Sequence, residues 1–211
     1  MKIHTAATSV GKTLCQFRHR SSGVECHGIY EGKQVRPIAG SVFFEWVELS
    51  KVFSVNSVEF LPFCYPENIY FLNAAQEITH HKSASHLILH ESQPLPKAVA
   101  TVYATAICKG RCGVSSAQCF SLLGCGWLID FSMGAKVDYS AGTVWMATQL
   151  QVSEGSQLNT FISGKPHKLQ VSKNHMQRLG QQLIKTQTFS PGDVIALPVT
   201  DPLNAKDVQL V

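Results

Sequence analysis

The run Val99 to Cys108 constrains this chain more than any other feature. It is rich in Val, Thr and Tyr, side chains that favour a pleated, half-buried surface, and it reads as the strongest strand in the sequence. Threonines interrupt its apolar character, and with Ala98 it reaches only about half a membrane span. Shorter runs of the same kind precede it, separated by turn residues. Cys15 to Arg18, Gly23 to Tyr30 and Gln34 to Ile38 read as strands, with Glu31-Gly32-Lys33 as a tight turn between the last two. Together they suggest a β-meander of about fifty residues, with Phe43 to Val52 as its helical candidate.

Beyond Val58 to Pro62 and the proline-flanked Cys64-Tyr65, the pattern continues. Ile69 to Leu72 reads as a buried strand, Asn73 to His86 as a polar, histidine-rich loop, and Leu87 to Leu89 as a further short strand. Ser115 is a candidate N-cap for a short helix whose apolar face runs from Ala117 to Leu123, stopped by Gly124 and Gly126. Trp127 to Phe131 and Val144 to Val152 return to strand, and a hairpin tip is expected at Gly164. Asn174 to Lys185 is the best helix, with Met176, Leu179, Leu183 and Ile184 on one face. Ser190-Pro191-Gly192-Asp193 is a type I or II turn into a strand from Val194 to Leu197. The chain is expected to be α+β and mainly β, with no internal repeats.

Composition narrows the function. The chain has 211 residues, enough for one substantial core or for a small domain joined to a larger one, and a charged fraction of 15%. That low charge suits an extensively buried surface, a subunit interface included. A net charge of +4 is spread thinly, with His19 between Arg18 and Arg20 as the densest basic spot. This argues against a nucleic-acid partner. Met1 to Leu14 is polar and broken by Gly11, so no membrane association and a cytoplasmic location are expected. Cys108, Cys112, Cys119 and Cys125 crowd together, and Cys108-x3-Cys112 invites a zinc reading. Their setting among Phe120, Leu122, Leu123 and Trp127 fits small buried hydrophobes better.

The middle of the chain is almost empty of carboxylates. Between Glu91 and Glu154 the acidic residues are Asp130 and Asp138 alone.

Several pieces, in order, resemble the fumarylacetoacetate hydrolase family. Phe17-Arg18 and Gly28 to Ile38 look like its small leading domain, and Val58-Glu59-Phe60-Leu61-Pro62 with Pro66 and Ile69 like its "V-x-L-L-P-P…P-x-K-I" junction. Ile107-Cys108-Lys109 with Val114-Ser115 is similar to "V-I-G-K…V-S". Phe161 to Lys165 resembles the "V-N-G" hairpin, and Phe189 to Ala196 is close to "L-x-P-G-D-V-I-x-T-G-T-P". The resemblance implies a mixed β-sandwich roll, usually dimeric, with a small N-terminal β-rich domain over residues 1–62 and the larger unit over 63–211. It also implies hydrolysis, decarboxylation or isomerisation of 2-oxo or β-keto acids around Mg²⁺ or Mn²⁺, the cation stabilising a developing enolate.

Carried over residue by residue, the resemblance loses its metal. The family's "E-x-E" falls on Ala100 and Val102, neither able to ligate a hard cation. Asp130 lies within one residue of the family's aspartate ligand, either a relic of it or a polar residue at a strand end. The family's histidine position falls on Thr79, with His80 and His81 as substitutes if the loop shifts, and as solvated loop residues otherwise. Lys136 is the remaining lysine near the family's active-site loop, or a surface lysine. Lys109 and Arg111 are candidates to hold a substrate carboxylate, and Thr200 stands in the Leu197-Pro198-Val199-Thr200 stretch that replaces "T-G-T-P".

Two functions follow from this reading. One is a non-catalytic binding, regulatory or partner subunit that keeps the scaffold, expected to need no cofactor and to form a homodimer or pair with an active paralogue. The other is an enzyme acting on a small 2-oxo acid by metal-free chemistry, with His80 or His81 as base. Mg²⁺ or Mn²⁺ enters only if the site is rebuilt elsewhere.

Overall fold

The computed structural model describes residues 3–5, 12–83, 99–114, 120–133, 144–146, 149–151, 156–162, 165–199, 203–204 and 208–210. The described strands are β1 (Ile3–Thr5), β2 (Thr13–His19), β3 (Glu25–Tyr30), β4 (Gln34–Gly40), β5 (Glu45–Glu48), β6 (Phe53–Ser54), β7 (Val58–Leu61), β8 (Asn68–Leu72) and β9 (Ile78–Ser83). They continue with β10 (Val99–Cys108), β11 (Leu122–Met133), β12 (Val144–Met146), β13 (Gln149–Gln151), β14 (Ser156–Ile162) and β15 (Lys165–Val171). The helix α1 (Lys173–Leu183) follows, then β16 (Val194–Pro198), β17 (Leu203–Asn204) and β18 (Val208–Leu210). Strand dominates, and the strands form two sheets.

The larger sheet runs β1-β5-β4-β3-β2-β13-β11-β10-β16-β8-β9, with β6, β7, β12 and β17 attached to its sides. Its pairings are antiparallel except β16 with β8, which run parallel. The smaller sheet, β15-β14-β18, is built on a hairpin whose register closes at Ile162 and Lys165, where the tip was expected. Because β2 pairs with β13 as well as with β3, the amino-terminal meander and the later strands belong to one hydrogen-bonded surface. They also share apolar packing. Leu14, Ile29, Ile38 and Trp46 lie in one buried cluster with Phe63, Ile69, Phe71, Tyr103, Ile107 and Leu128.

The expected helix over Phe43 to Val52 is not formed. Phe44 N–H donates to the Ser41 carbonyl at 3.0 Å and Ser41 N–H to the Glu45 carbonyl at 3.1 Å, turning the chain back so that β5 pairs with β4 and β1. Trp46 then points into the core at 2% exposure while Glu45 faces solvent, a two-residue alternation rather than a helical stripe. The apolar run ending at Leu123 is likewise cut short: Leu122 and Leu123 begin β11, and Gly124 and Gly126 lie inside that strand. The register shift between Ile107 and Cys108 absorbs the change. The other part of that helix candidate, residues 115–119, and the strand expected at Leu87 to Leu89 lie outside the described residues.

Helix α1 forms where its periodicity placed it. The Ser172 side chain caps it by accepting from His175 N–H at 3.2 Å. Met176, Leu179, Gly180 and Leu183 make the buried stripe. Gln177 and Gln181 both donate through their side-chain amides to the Phe120 carbonyl, and Leu122 N–H returns a bond to Gln177 at 3.2 Å. Those bonds dock the helix against the start of β11. Gly180 permits the approach, since a Cβ there would come within 2.1 Å of the Phe120 ring.

The Ser190 to Asp193 turn is type II. Gly192 takes φ +92°, the left-handed value that position requires, and Asp193 N–H donates to the Ser190 carbonyl at 3.1 Å. Asp193 is fully buried; its carboxylate accepts the backbone N–H groups of Ser190 and Asn68, each at 2.8 Å. It thereby ties the turn before β16 to the first residue of β8, its parallel neighbour.

Candidate functional site

Strands β10 and β11 carry the positions on which a metal-centred reading rests, and their register sorts those positions by face. Val102 pairs with Ile129, and Thr101 pairs with Asp130. Adjacent residues in a strand point to opposite sides. One face therefore carries Val102, Ala104, Ala106, Cys108, Cys125, Trp127 and Ile129, all in one buried cluster with Met176, Leu179 and Leu183 of α1. The other carries Thr101, Tyr103, Thr105, Ile107, Leu128 and Asp130, turned toward the amino-terminal meander.

A divalent cation of the Mg²⁺ or Mn²⁺ kind needs several oxygen ligands converging on one point. Val102 is 0% exposed, and Asp130, the carboxylate next to its pairing partner, belongs to the opposite face. No group of three or more His, Cys, Asp or Glu side chains among the described residues is placed to hold a metal. The residues present do not fit such an ion at this position. Ala100 pairs with Leu203 on β17.

Asp130 is wholly enclosed nonetheless, in a polar patch of its own face. Burial, then the nearby Asp130 charge, push the Tyr103 phenol up to about 12, while a hydrogen bond with the Thr101 side chain pulls the other way. The Tyr103 ring packs edge-on against Phe71 with centroids 5.0 Å apart. This is a fixed arrangement of hydroxyl and carboxylate groups inside an apolar surround.

The remaining candidates are not gathered around these strands. His80 and His81 were expected in a loop; they lie instead on β9, paired with Phe71 and Tyr70. The loop is shorter than the polar composition suggested, because Asn73 closes it. Asn73 N–H donates to the Glu77 carbonyl and its side-chain oxygen accepts Glu77 N–H, both at 2.9 Å, so the chain re-enters the sheet at once. A polar strand is tolerated there because, among the described residues, β9 stands at the sheet edge. Strands β16 and β8 separate it from β10, three strand spacings or about 14 Å of backbone. Thr79, at the family's histidine position, donates its hydroxyl to the Phe71 carbonyl at 3.2 Å.

Lys109 and Arg111 follow the far end of β10, half-exposed and exposed, and Lys109 N–H donates to the Ser121 carbonyl at 2.7 Å. Along an extended strand, Lys109 stands roughly 23 Å from Val102. Lys136 and Thr200 lie outside the described residues. Cys108, Cys112 and Cys125 are core members with free thiols, the first two with sulfurs 3.7 Å apart. Burial pushes the Cys125 thiol up to about 12 and raises those of Cys108 and Cys112, so none is activated as a nucleophile.

A concave site does occur, away from these strands. A groove of about 240 Å³ lies between α1 and the β8–β9 turn, lined by Gln76, His175, Arg178, Leu179 and Gln182. Its sequence signal was faint: from Gly155 to Gly192 the chain has no acidic residue, while Lys165, Lys168, Lys173, Arg178 and Lys185 all fall within it.

No protein-family model and no curated protein matches this sequence. Solved structures do. The 5-carboxymethyl-2-hydroxymuconate delta-isomerase from Mycobacterium smegmatis superposes with a TM-score of 0.65 at 14% identity, over 94% of this chain and 90% of that one. A maleylpyruvate hydrolase from Sphingobium sp. SYK-6, solved with manganese(II) and pyruvate, gives 0.55 at 13% identity, over 94% and 90%. The fumarylacetoacetate hydrolase from psychrophilic Exiguobacterium antarcticum gives 0.56 at 12% identity, over 89% and 86%. The chain has the fold seen in structures of the fumarylacetoacetate hydrolase family, as the motif order implied. No helix among the described residues is long and apolar enough to cross a membrane.

Proposed function

Given a chain with the fold of fumarylacetoacetate hydrolase structures, we propose a protein that keeps that scaffold, a β-sandwich roll with a small meander over residues 1–62, without its metal chemistry. It acts through binding, as a regulatory or partner subunit in the cytoplasm, either as a homodimer or beside an active relative. One observation carries the reading. Val102, at a position where the resemblance expects a ligand carboxylate, is 0% exposed and clustered with Trp127, Ile129 and the apolar stripe of α1. A carboxylate cannot hold a cation from within such a cluster.

A second reading, metal-free chemistry on a 2-oxo or β-keto acid, draws on the buried Asp130 beside the strongly shifted Tyr103, since perturbed groups cluster at functional sites. One assay separates the readings. Oxaloacetate and acetylpyruvate are incubated with the full chain, with Mg²⁺ or Mn²⁺ and with chelator, and loss of enol absorbance is followed. The expected rate matches the protein-free control in every arm. Turnover that needs metal and disappears in Asp130→Ala would overturn the proposal, and turnover that survives chelation would favour the second reading.

A further inference from the structure

We propose that the groove between α1 and the β8–β9 turn binds a small organic carboxylate, with Arg178 as its charge-pairing residue. His175, Arg178, Leu179 and Gln182 stand at i, i+3, i+4 and i+7, so they form one continuous flank of the helix, and Gln76 faces them from the turn. Arg178 is exposed, and among the described residues neither it nor His175 is engaged in an ion pair. The helix segment around them lacks acidic residues from Gly155 to Gly192, and across the groove the Glu77 carboxylate beside Gln76 accepts from the Asn73 side-chain amide at 3.2 Å, which leaves Arg178 as the cation an anion would meet.

Gln76 supplies the independent observation. It takes φ +66°, a left-handed conformation that glycine or asparagine adopts at much lower cost. The position closes the turn through Gln76 N–H donating to the Asn73 carbonyl at 2.9 Å, a job that needs only backbone. A glutamine held there against its preference, with its side chain lining the groove, fits a ligand-binding role better than a folding role.

The lining selects the ligand class. A planar guanidinium pairs with a carboxylate through two parallel hydrogen bonds, two carboxamides add donors, and buried Leu179 gives an apolar floor for a short carbon stem. Phosphate sites more often gather backbone N–H groups at a helix N-terminus, whereas this groove lies along the flank. At about 240 Å³ it falls below the range of drug-sized pockets, which points to a small acid. The site is independent of whether the β10–β11 strands support catalysis.

The test is a titration of the isotope-labelled full chain with succinate and, separately, with inorganic phosphate, followed by NMR. Succinate is expected to shift the Arg178 side chain and the backbone of residues 74–77 saturably. Arg178→Gln should weaken binding about tenfold while leaving the melting temperature unchanged. Gln76→Gly should weaken binding several-fold and raise the melting temperature by about 2–4 °C, because the strain is relieved as a contact is lost. Non-saturating shifts, or equal affinity in Arg178→Gln, would overturn the site. Tighter binding of phosphate than of succinate would overturn the carboxylate assignment.

Discussion

The two faces of the β10–β11 pair carry different chemistry although the same two strands build both. On the α1 side, the described β10 and β11 side chains of the buried cluster are hydrophobic or thiols, from Val102 to Cys108 on one strand and from Cys125 to Ile129 on the other. On the meander side, Thr101, Thr105 and Asp130 are buried among Tyr103, Ile107 and Leu128. A cation site needs its carboxylates on one face. Here the position expected to supply one is on the first face, and the carboxylate actually present is on the second.

The most direct way to break this contrast is to restore acidity where the first face lacks it. Val102→Glu should place an unpaired carboxylate in the α1-side core and cost more than about 4 kcal/mol in urea unfolding, with no gain in Mn²⁺ affinity. A Val102→Glu protein that stays as stable as the parent and binds Mn²⁺ would show that the face is open to solvent and ions.

A one-residue offset explains why the sequence left Asp130 ambiguous. In a helix or loop, a neighbour in sequence can substitute for a ligand; in a strand it points the other way. The offset could be counted in the sequence, but its consequence required the Val102–Ile129 register. His80 and His81 depart from the expected loop for a related reason. Polar composition suggested a long loop, yet an edge strand need not be apolar, and only the Asn73 closure shows where the loop stops. The Phe43 to Val52 stretch misled through its aromatic content, since Phe-Phe-Glu-Trp-Val is dense enough for either period. By contrast, α1 and the Pro191-Gly192-Asp193 turn are legible because each depends on local chemistry: an apolar stripe at helical spacing, and a glycine that can take a positive φ. The α1 groove was not legible, because Gln76 and Arg178 are a hundred residues apart and only the fold brings them together.

The α1 side can be probed without charge. Gly180→Ala adds a single methyl group, yet its Cβ would meet the Phe120 ring. Alanine's better helix propensity offsets part of the damage, leaving an expected net loss of about 2 kcal/mol. Adding Phe120→Leu to Gly180→Ala should recover part of it. If Gly180→Ala alone were stabilising, the helix would be packed more loosely on β11 than its Gln177 and Gln181 bonds imply.

The meander side yields the smallest effect and the finest discrimination. Tyr103 is 7% exposed and its phenol is pushed up to about 12, first by burial and then by the charge of Asp130. A folded pKa above the ordinary 10 means the contribution is intact below pH 10 and is lost as pH climbs from 10 toward about 12, because the unfolded chain ionises first. Phenolate absorbance, assigned by comparison with Tyr103→Phe, should show this late titration. Asp130→Asn should move it downward while leaving it above the ordinary value, since burial persists. A Tyr103 titration indifferent to Asp130→Asn would separate those two residues. The polar patch on the second face would then be a set of unrelated buried groups, and the metal-free reading would lose its support.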